Sequence, residues 1–262
     1  MTNEHIEIQC LLDAVFRKYG YDFREYSDAS IKRRLRLFQD KFNYGNFAYL
    51  MHDLLEDELL FESLLLDLTV NVTEMFRDPS FYKALRKVVI PILKTYPRIK
   101  IWHAGCSTGE EVYSMAILLQ EEGLLKKSTI YATDINEKVL GKAKDGIYPL
   151  DRIKAYTINY QKSGGSESFA EYYSAKPEGA LMLNELKKHV VFSQHNLVTD
   201  SVFSEMHLVI CRNVLIYFNK NLQERSIALF ADSLIRKGIL CLGSKETIRF
   251  TSYADKFGYY EI

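Results

Sequence analysis

A run of small residues, Ala104-Gly105-Cys106-Ser107-Thr108-Gly109, follows the apolar segment Ile99 to Ala104 and leads into Glu110-Glu111 and a helical stretch from Val112 and Tyr113. Such a turn between strand and helix lets backbone approach a ligand closely, at the carboxyl end of a parallel sheet where ligands bind. It has neither the full GxGxxG spacing nor the Lys-Ser/Thr of a phosphate loop, and two carboxylates at its helix end would repel a pyrophosphate. A neutral or cationic ligand suits it better. Asp134, in Ala132-Thr133-Asp134-Ile135-Asn136, ends the next apolar run twenty-odd residues further on. A carboxylate there can accept both hydroxyls of an adenosine ribose, each charge-assisted bond contributing roughly 1.5–3 kcal/mol. It can also cap the helix that follows. Taken with the glycine turn, the nucleoside reading leads; it identifies a ligand, not a reaction.

Two more polar clusters follow later apolar runs: Gln194-His195-Asn196-Leu197 and Cys211-Arg212-Asn213-Val214-Leu215-Ile216-Tyr217-Phe218. Polar residues ending consecutive parallel strands face one crevice, where amide groups can read an adenine edge and an arginine or tyrosine can orient a reacting group. For Tyr217, in a chain with 18 tyrosines, ordinary packing is the plainer alternative. Upstream, in Val70-Asn71-Val72-Thr73-Glu74-Met75-Phe76-Arg77-Asp78, Asn71 and Thr73 can make short polar contacts, and Arg77 offers a planar five-donor head suited to a carboxylate. Spacing alone favours a helix cap followed by a surface arginine.

The elements that must position these groups fall into two patterns. Residues 1 to about 70 read as a small all-α domain: Ile8, Leu11, Leu12, Val15 and Phe16 recur at helical intervals, with breaks at Tyr19-Gly20-Tyr21 and Asn43-Tyr44-Gly45-Asn46 and a cap at Ser27 or Asp28. From Ile99 onward, β-rich runs alternate with helical stretches: Ile99 to Ala104, Thr129 to Thr133, Val190 to Gln194, Leu208 to Cys211 and Ile239 to Gly243. This predicts an α/β fold with a parallel sheet and crossover helices. Phe257 to Ile262 is expected to add a strand, antiparallel because only a short segment precedes it. Residues 145–189, with Ser163-Gly164-Gly165-Ser166 and Lys176-Pro177-Glu178-Gly179, interrupt the alternation as an inserted subdomain with short helices or a hairpin.

Composition removes several classes of function. With 34 basic and 34 acidic residues in 262, the chain lacks the positive field that a general nucleic-acid or anionic-membrane binder needs. The four cysteines, Cys10, Cys106, Cys211 and Cys241, stand singly with no zinc-site spacing, so no metal is expected and they read as thiols of a reducing cytoplasm. Met1 to Cys10, with Glu4 and Glu7, does not read as a secretory signal, and no apolar run reaches membrane-spanning length.

Taken together, these motifs resemble the chemoreceptor glutamate O-methyltransferases, the CheR family of bacterial chemotaxis. The likeness spans the helical amino-terminal part, Asn71 to Arg77, Ser107 to Glu111 with Tyr113-Ser114, Asp134, Gly146-Ile147-Tyr148, Asn196-Leu197 and Cys211 to Phe218. It implies a Rossmann-like S-adenosylmethionine-dependent methyltransferase domain over 71–262, preceded by the all-α domain. It also implies transfer of methyl from S-adenosylmethionine to the γ-carboxylate of receptor glutamates, leaving a methyl ester and S-adenosylhomocysteine. Cofactor contacts then fall on Asn71, Thr73, Arg77, Glu111, Asp134, Asn196, Leu197, Arg212 and Asn213, with Glu111 neutralising the methionine ammonium and Asp134 holding the ribose. Arg77 and Tyr217 are placed beside the transferring methyl. The basic run Ser30-Ile31-Lys32-Arg33-Arg34-Leu35-Arg36 is either a solvated helix surface or, by the resemblance, a docking helix for the cytoplasmic helices of chemoreceptors, with Lys32, Arg33 and Arg36 as contacts.

The resemblance further implies a cytoplasmic enzyme, taken here as a monomer, with no nucleic-acid partner and no membrane insertion. Some relatives grip a receptor's carboxyl-terminal peptide through a glycine-containing turn in the insertion; here the stretch around Lys176-Pro177-Glu178-Gly179 is short, which speaks against that grip. Three alternatives remain on the residues, one of them nucleic-acid methylation, which the lack of a broad basic surface opposes. A non-catalytic S-adenosylmethionine-sensing module would keep the cofactor fold, though retention of Arg77 and Tyr217 argues against it. A nicotinamide-dependent oxidoreductase shares the glycine turn and acidic residue, though Glu110 and Glu111 oppose its pyrophosphate.

Overall fold

The computed structural model describes residues 2–69 and 73–258. Four helices open the chain: α1 (Asn3–Tyr19), α2 (Asp28–Lys41), α3 (Phe47–Glu56) and α4 (Glu58–Leu68). Their limits follow local chemistry. Thr2 caps α1 by accepting the His5 N–H, and Gly20 ends it in the left-handed region at φ 78°. Asn46 caps α3, and Asp57 accepts two N–H groups at the start of α4. Ser27 takes the capping position of α2 without using its hydroxyl. The apolar stripes of all four converge on one core that includes Leu11, Leu35, Leu50 and Leu64, and Tyr19 stacks on Phe61 at 3.8 Å.

Pro79 begins α5 (Pro79–Ala84), which passes through a π-helical turn at Leu85–Val89 into α6 (Ile90–Lys94). The α/β part then runs β1 (Ile99–Ala104), α7 (Glu110–Glu121), β2 (Ser128–Asp134), α8 (Glu137–Asp145), β3 (Ile147–Tyr148), α9 (Leu150–Lys162), β4 (Tyr173–Lys176), β5 (Gly179–Met182), α10 (Asn184–Lys187), β6 (Val190–Gln194), β7 (Met206–Cys211), α11 (Lys220–Ser233) and β8 (Leu234–Leu242).

Five strands form a parallel sheet in the order β6-β2-β1-β7-β8, with β1 in register from Ile99 opposite Ser128 to Ala104 opposite Thr133. Alternation along β1 sends Ile99 and Ile101 into the core under α7, and Trp102 and Ala104 into the core on the opposite face with Phe230. The chain runs outward from β1 to β2 and β6, then returns to β7 and β8. The β1/β7 boundary is therefore the point where strand order reverses and a crevice opens at the strands' carboxyl ends.

All five expected strands of this sheet are present. The last begins earlier than expected, at Leu234, because α11 passes into β8 without a loop and a register shift between Met206 and Leu208 absorbs the extra residues. The further strand expected at Phe257 to Ile262 is not seen in residues 257 and 258, and 259–262 lie outside the described residues. Between α8 and β6, strands β3, β5 and β4 form a small antiparallel sheet packed with α9. Glu121, near the end of α7, anchors this segment by accepting from the Tyr160 and Tyr172 hydroxyls and the Ser166 N–H, while pairing with Arg86.

The helical bundle meets the α/β part along a short ribbon. Tyr26 forms an antiparallel bridge with Phe218, the Ser27 N–H donates to the Tyr217 carbonyl at 2.8 Å, and the Asn219 N–H donates to the Glu25 carbonyl at 3.0 Å. The Glu62–Lys138 ion pair, 2.6 Å, adds a second tie.

Candidate active site

The small-residue turn after β1 is held by two bonds to one acceptor: the Gly105 and Cys106 N–H groups both donate to the Thr133 carbonyl at 2.8 Å. Gly105 has φ 77°, and a Cβ there would lie 2.5 Å from a Val214 methyl, so only glycine lets the turn pass beneath the loop after β7. The carboxyl ends of β1, β2, β6 and β7 thus surround one cleft of about 950 Å³, part of it open to solvent. Residues from widely separated segments line it: Thr73, Arg77, Glu111, Asp134, Asn196, Leu197, Arg212, Asn213 and Tyr217. Of the site residues expected from sequence, Asn71 alone lies outside the described residues.

Asp134 ends β2 and accepts the Ser107 N–H at 2.8 Å on one oxygen and the Asn136 N–H at 3.0 Å on the other. It does not cap α8; Asn136 does, accepting the Lys138 N–H. The Ile135 N–H acts on it as well; an ionised carboxylate has about four acceptor positions, so some capacity remains for a ligand hydroxyl. Burial pushes its pKa up, outweighing the pull of those backbone donors.

Glu110 and Glu111, adjacent in sequence, diverge in space. Glu110 is buried away from the cleft and accepts from the Thr108 hydroxyl at 2.6 Å; burial raises its pKa. The repulsion argument drawn from a pair of carboxylates therefore rests on Glu111 alone. Glu111 takes His103 Nδ1 at 3.1 Å on one oxygen and Arg212 Nη1 at 2.9 Å on the other. Burial works to raise its pKa, but the His103 hydrogen bond and the Arg212 charge prevail and hold it below the usual value. Arg212, with its side chain only 2% exposed, also donates from Nη2 to Asp78 at 2.5 Å and lies over the Phe81 ring at 4.0 Å. Glu111 and Asp134 place two carboxylates at the cleft against Arg212, which is engaged by Glu111 and Asp78, and Arg77, which stands on the segment after α4. A ligand carrying both an ammonium and hydroxyls finds a carboxylate for each.

Asn196 spends its side-chain carbonyl on the Val198 N–H, 2.9 Å, which leaves its NH₂ as the group available to a ligand's acceptor edge. Leu197, 8% exposed, supplies apolar surface beside it. Asn213 adopts a left-handed backbone, φ 62°. Tyr217 is half-buried at the end of the following 3₁₀ turn, with the Arg34 guanidinium over its ring at 5.3 Å. Among the described residues no group of His, Cys, Asp and Glu is arranged to hold a metal ion.

The basic run on α2 divides. Lys32 and Arg36 both pair with Glu4 of α1, 2.6 Å each, and hold its carboxyl at about 2 through those hydrogen bonds. Arg33 is exposed. Lys32 and Arg36, four residues apart on α2, thus share one acceptor on α1. Arg34 turns inward, donating to the Asp67 carbonyl at 2.7 Å beside the cleft. Sequence reasoning missed Arg34 and Tyr26, which also line or flank this site. Arg34 was legible only as one charge among four, and Tyr26 reaches the cleft through its bridge to a residue far along the chain.

Residues 71–261 match the family described as CheR methyltransferase, SAM binding domain, and residues 6–69 match the CheR methyltransferase all-alpha domain. The Putative methyltransferase Cher3 of Pseudomonas putida is 53% identical over 255 residues, covering 97% of this chain and 93% of that protein. The Chemotaxis protein methyltransferase of Listeria innocua is 33% identical, with 89% and 87% covered. That of Borreliella burgdorferi is 31% identical, with 93% and 88% covered.

Proposed function

The chain belongs to the CheR methyltransferase family, and from that membership we propose that it esterifies the side-chain carboxylate of glutamates on bacterial chemoreceptors. It is an S-adenosylmethionine-dependent methyltransferase; the acceptor, the docking surface and the residue roles are the proposed part. When bound, S-adenosylmethionine supplies an electrophilic methyl group on a sulfonium, and S-adenosylhomocysteine remains after transfer.

One observation carries the reading: residues from the segment after α4, from the ends of four strands and from the start of α7 line a single cleft at the reversal point of the sheet. Asp134 would accept the ribose hydroxyls, and Asn196 and Leu197 would receive the adenine. Glu111 would face the ammonium, with Arg212 acting through Glu111 and Asp78 to fix that wall. Thr73 and Asn213 lie at the same cleft's edges, and Asn71 is assigned to it from sequence.

The acceptor chemistry asks for position rather than proton transfer. A glutamate carboxylate, with an ordinary pKa near ~4.3, is already ionised at neutral pH, so no general base is required. Arg77 would orient that carboxylate, and Tyr217 would restrain it from the opposite loop. Good orientation is worth roughly 7–11 kcal/mol of a barrier. Holding the anion too firmly would stabilise the ground state, so a half-buried arginine suits the task better than a sealed one.

We assign docking to α2, where exposed Arg33 and the Lys32–Arg36 pair present positive charge toward acidic receptor helices. Among the described residues no helix is long and apolar enough to cross a membrane; a cytoplasmic monomer acting on the receptors' cytoplasmic helices is the form proposed. The test is transfer of labelled methyl from S-adenosylmethionine to receptor-bearing membranes, with base-labile label on glutamate as the expected result. Label that stays on the donor while calorimetry still shows S-adenosylhomocysteine binding would overturn the reading in favour of a sensing module.

A further inference from the structure

Glu246 lies in the loop after β8 and lines no part of the cleft, yet its carboxylate collects four backbone donors. One oxygen accepts from Gly243 at 2.7 Å and Asn213 at 3.0 Å; the other accepts from Val214 and Leu215, both at 2.8 Å. Three of those donors are consecutive amides of the loop after β7, turned to one side by the left-handed backbone of Asn213. Successive N–H groups converging in this way form a concavity that favours an anion. Here the chain fills it with its own side chain. Gly243 is part of the same device, because a Cβ there would stand 2.6 Å from a Glu246 oxygen and 3.1 Å from the Asn213 nitrogen.

The loop held in this way carries Arg212 and Asn213 at one end and Tyr217 at the other. The far end is fixed separately, by the bond from Ser27 to the Tyr217 carbonyl. We propose that Glu246 is a positioning residue for methyl transfer, clamping the Asn213–Leu215 turn so that Arg212, Asn213 and Tyr217 keep their places in the cleft. This rests on the methyltransferase reading above. It predicts a sensitivity to geometry that outstrips loss of fold, since four charge-assisted bonds meet at one point and a misplacement of about 1 Å near reacting groups can cost about 100-fold.

The test compares the full chain with Glu246→Gln and Glu246→Ala. Glutamine keeps the size but replaces one acceptor oxygen with an NH₂ that faces two N–H donors; alanine empties the concavity. With the unliganded protein, amide hydrogen exchange at residues 213–215 is expected to accelerate at least tenfold in both variants, while exchange in β1 and β2 stays unchanged. Methyl transfer, measured well below the melting temperature, is expected to fall about 10- to 100-fold in kcat. Sodium formate is expected to restore part of the loss in Glu246→Ala, in a saturable manner, and none in Glu246→Gln.

Unchanged exchange at 213–215 would overturn the clamp whatever the activity. Activity lost only in proportion to the unfolded fraction, with no formate rescue, would overturn the positioning role. A wild-type chain that transfers no methyl, with the exchange difference intact, would instead count against the methyltransferase reading and leave the clamp standing.

Discussion

Arg212 and Glu111 meet at 2.9 Å, joining the end of β7 to the first turn of α7 across the floor of the cleft. The same guanidinium reaches Asp78 at 2.5 Å, so one side chain ties together three segments that the sheet topology brings side by side. Its exposure of 2% makes the arrangement costly to break from one side, because the largely buried Glu111 would keep only His103 as a partner, while half-exposed Asp78 would fall back on water.

Arg212→Met is therefore expected to destabilise the protein by about 3–5 kcal/mol. For a chain of this size, that is a fall in melting temperature of roughly 5–10 °C. Differential scanning calorimetry checks it. Adding Glu111→Gln should recover part of the loss; a fully additive double variant would mean that the two groups do not depend on each other.

Asp134 sets a pH dependence whose sign can be worked out. Burial raises its pKa in the folded chain, and ribose binding requires the ionised form. Affinity for S-adenosylhomocysteine should hold at neutral pH and fall as pH drops through that raised value, starting above the range of an ordinary carboxylate. Folding of the free protein responds oppositely: protonation is easier folded than unfolded, so this group adds stability as pH falls. Calorimetry of Asp134→Ala should show binding weakened by about 100-fold or more, two bonds of roughly 1.5–3 kcal/mol each setting the scale, and no acid limb from this site. A wild-type affinity that is flat down to acidic pH would remove the ribose assignment.

Arg77, assigned both to the donor and to the transferring methyl, and Tyr217 should affect turnover more than donor affinity. Arg77→Lys keeps the charge but loses the planar fork, so kcat toward receptor should fall about tenfold or more with S-adenosylhomocysteine affinity changed far less. Tyr217→Phe should be milder than Tyr217→Ala, since the ring also supports Arg34. Equal losses in donor affinity and kcat would place these residues in donor binding alone.

Charge on α2 divides into anchored and available groups. Arg33→Glu is expected to lower kcat/KM for receptor membranes about threefold or more, with the deficit shrinking at high salt and donor binding untouched. Glu4→Ala releases Lys32 and Arg36 from an exposed pair, so it should leave the melting temperature nearly unchanged while leaving or improving receptor turnover. A salt-independent deficit in Arg33→Glu would argue against electrostatic docking.

Much of this was legible in the chain itself. The central parallel strands announced themselves as apolar runs ending in Asp134 and Arg212, because a strand buried on both faces has few polar positions and its polar end stands out. What the sequence withheld are relations between distant residues. Nothing near Glu246 reveals that its partners are the Asn213–Leu215 amides some thirty residues upstream. Likewise, the adjacent Glu110 and Glu111 look equivalent in one dimension, yet the 100° step of a helix sends one into the core and the other to the cleft. Among the α2 cations, which one is claimed by Glu4, by Asp67 or by solvent depended on what α1 and α4 placed opposite.

The ribbon that joins residues 25–27 to residues 217–219 limits how freely this protein's parts can be interchanged. A chimera that borrows another relative's helical domain must also reproduce a three-residue stitch beside Tyr217, or inherit a slack one. With docking on α2 as proposed, changes of receptor preference should accumulate on its outer surface, where new side chains can be tried without loosening the seam.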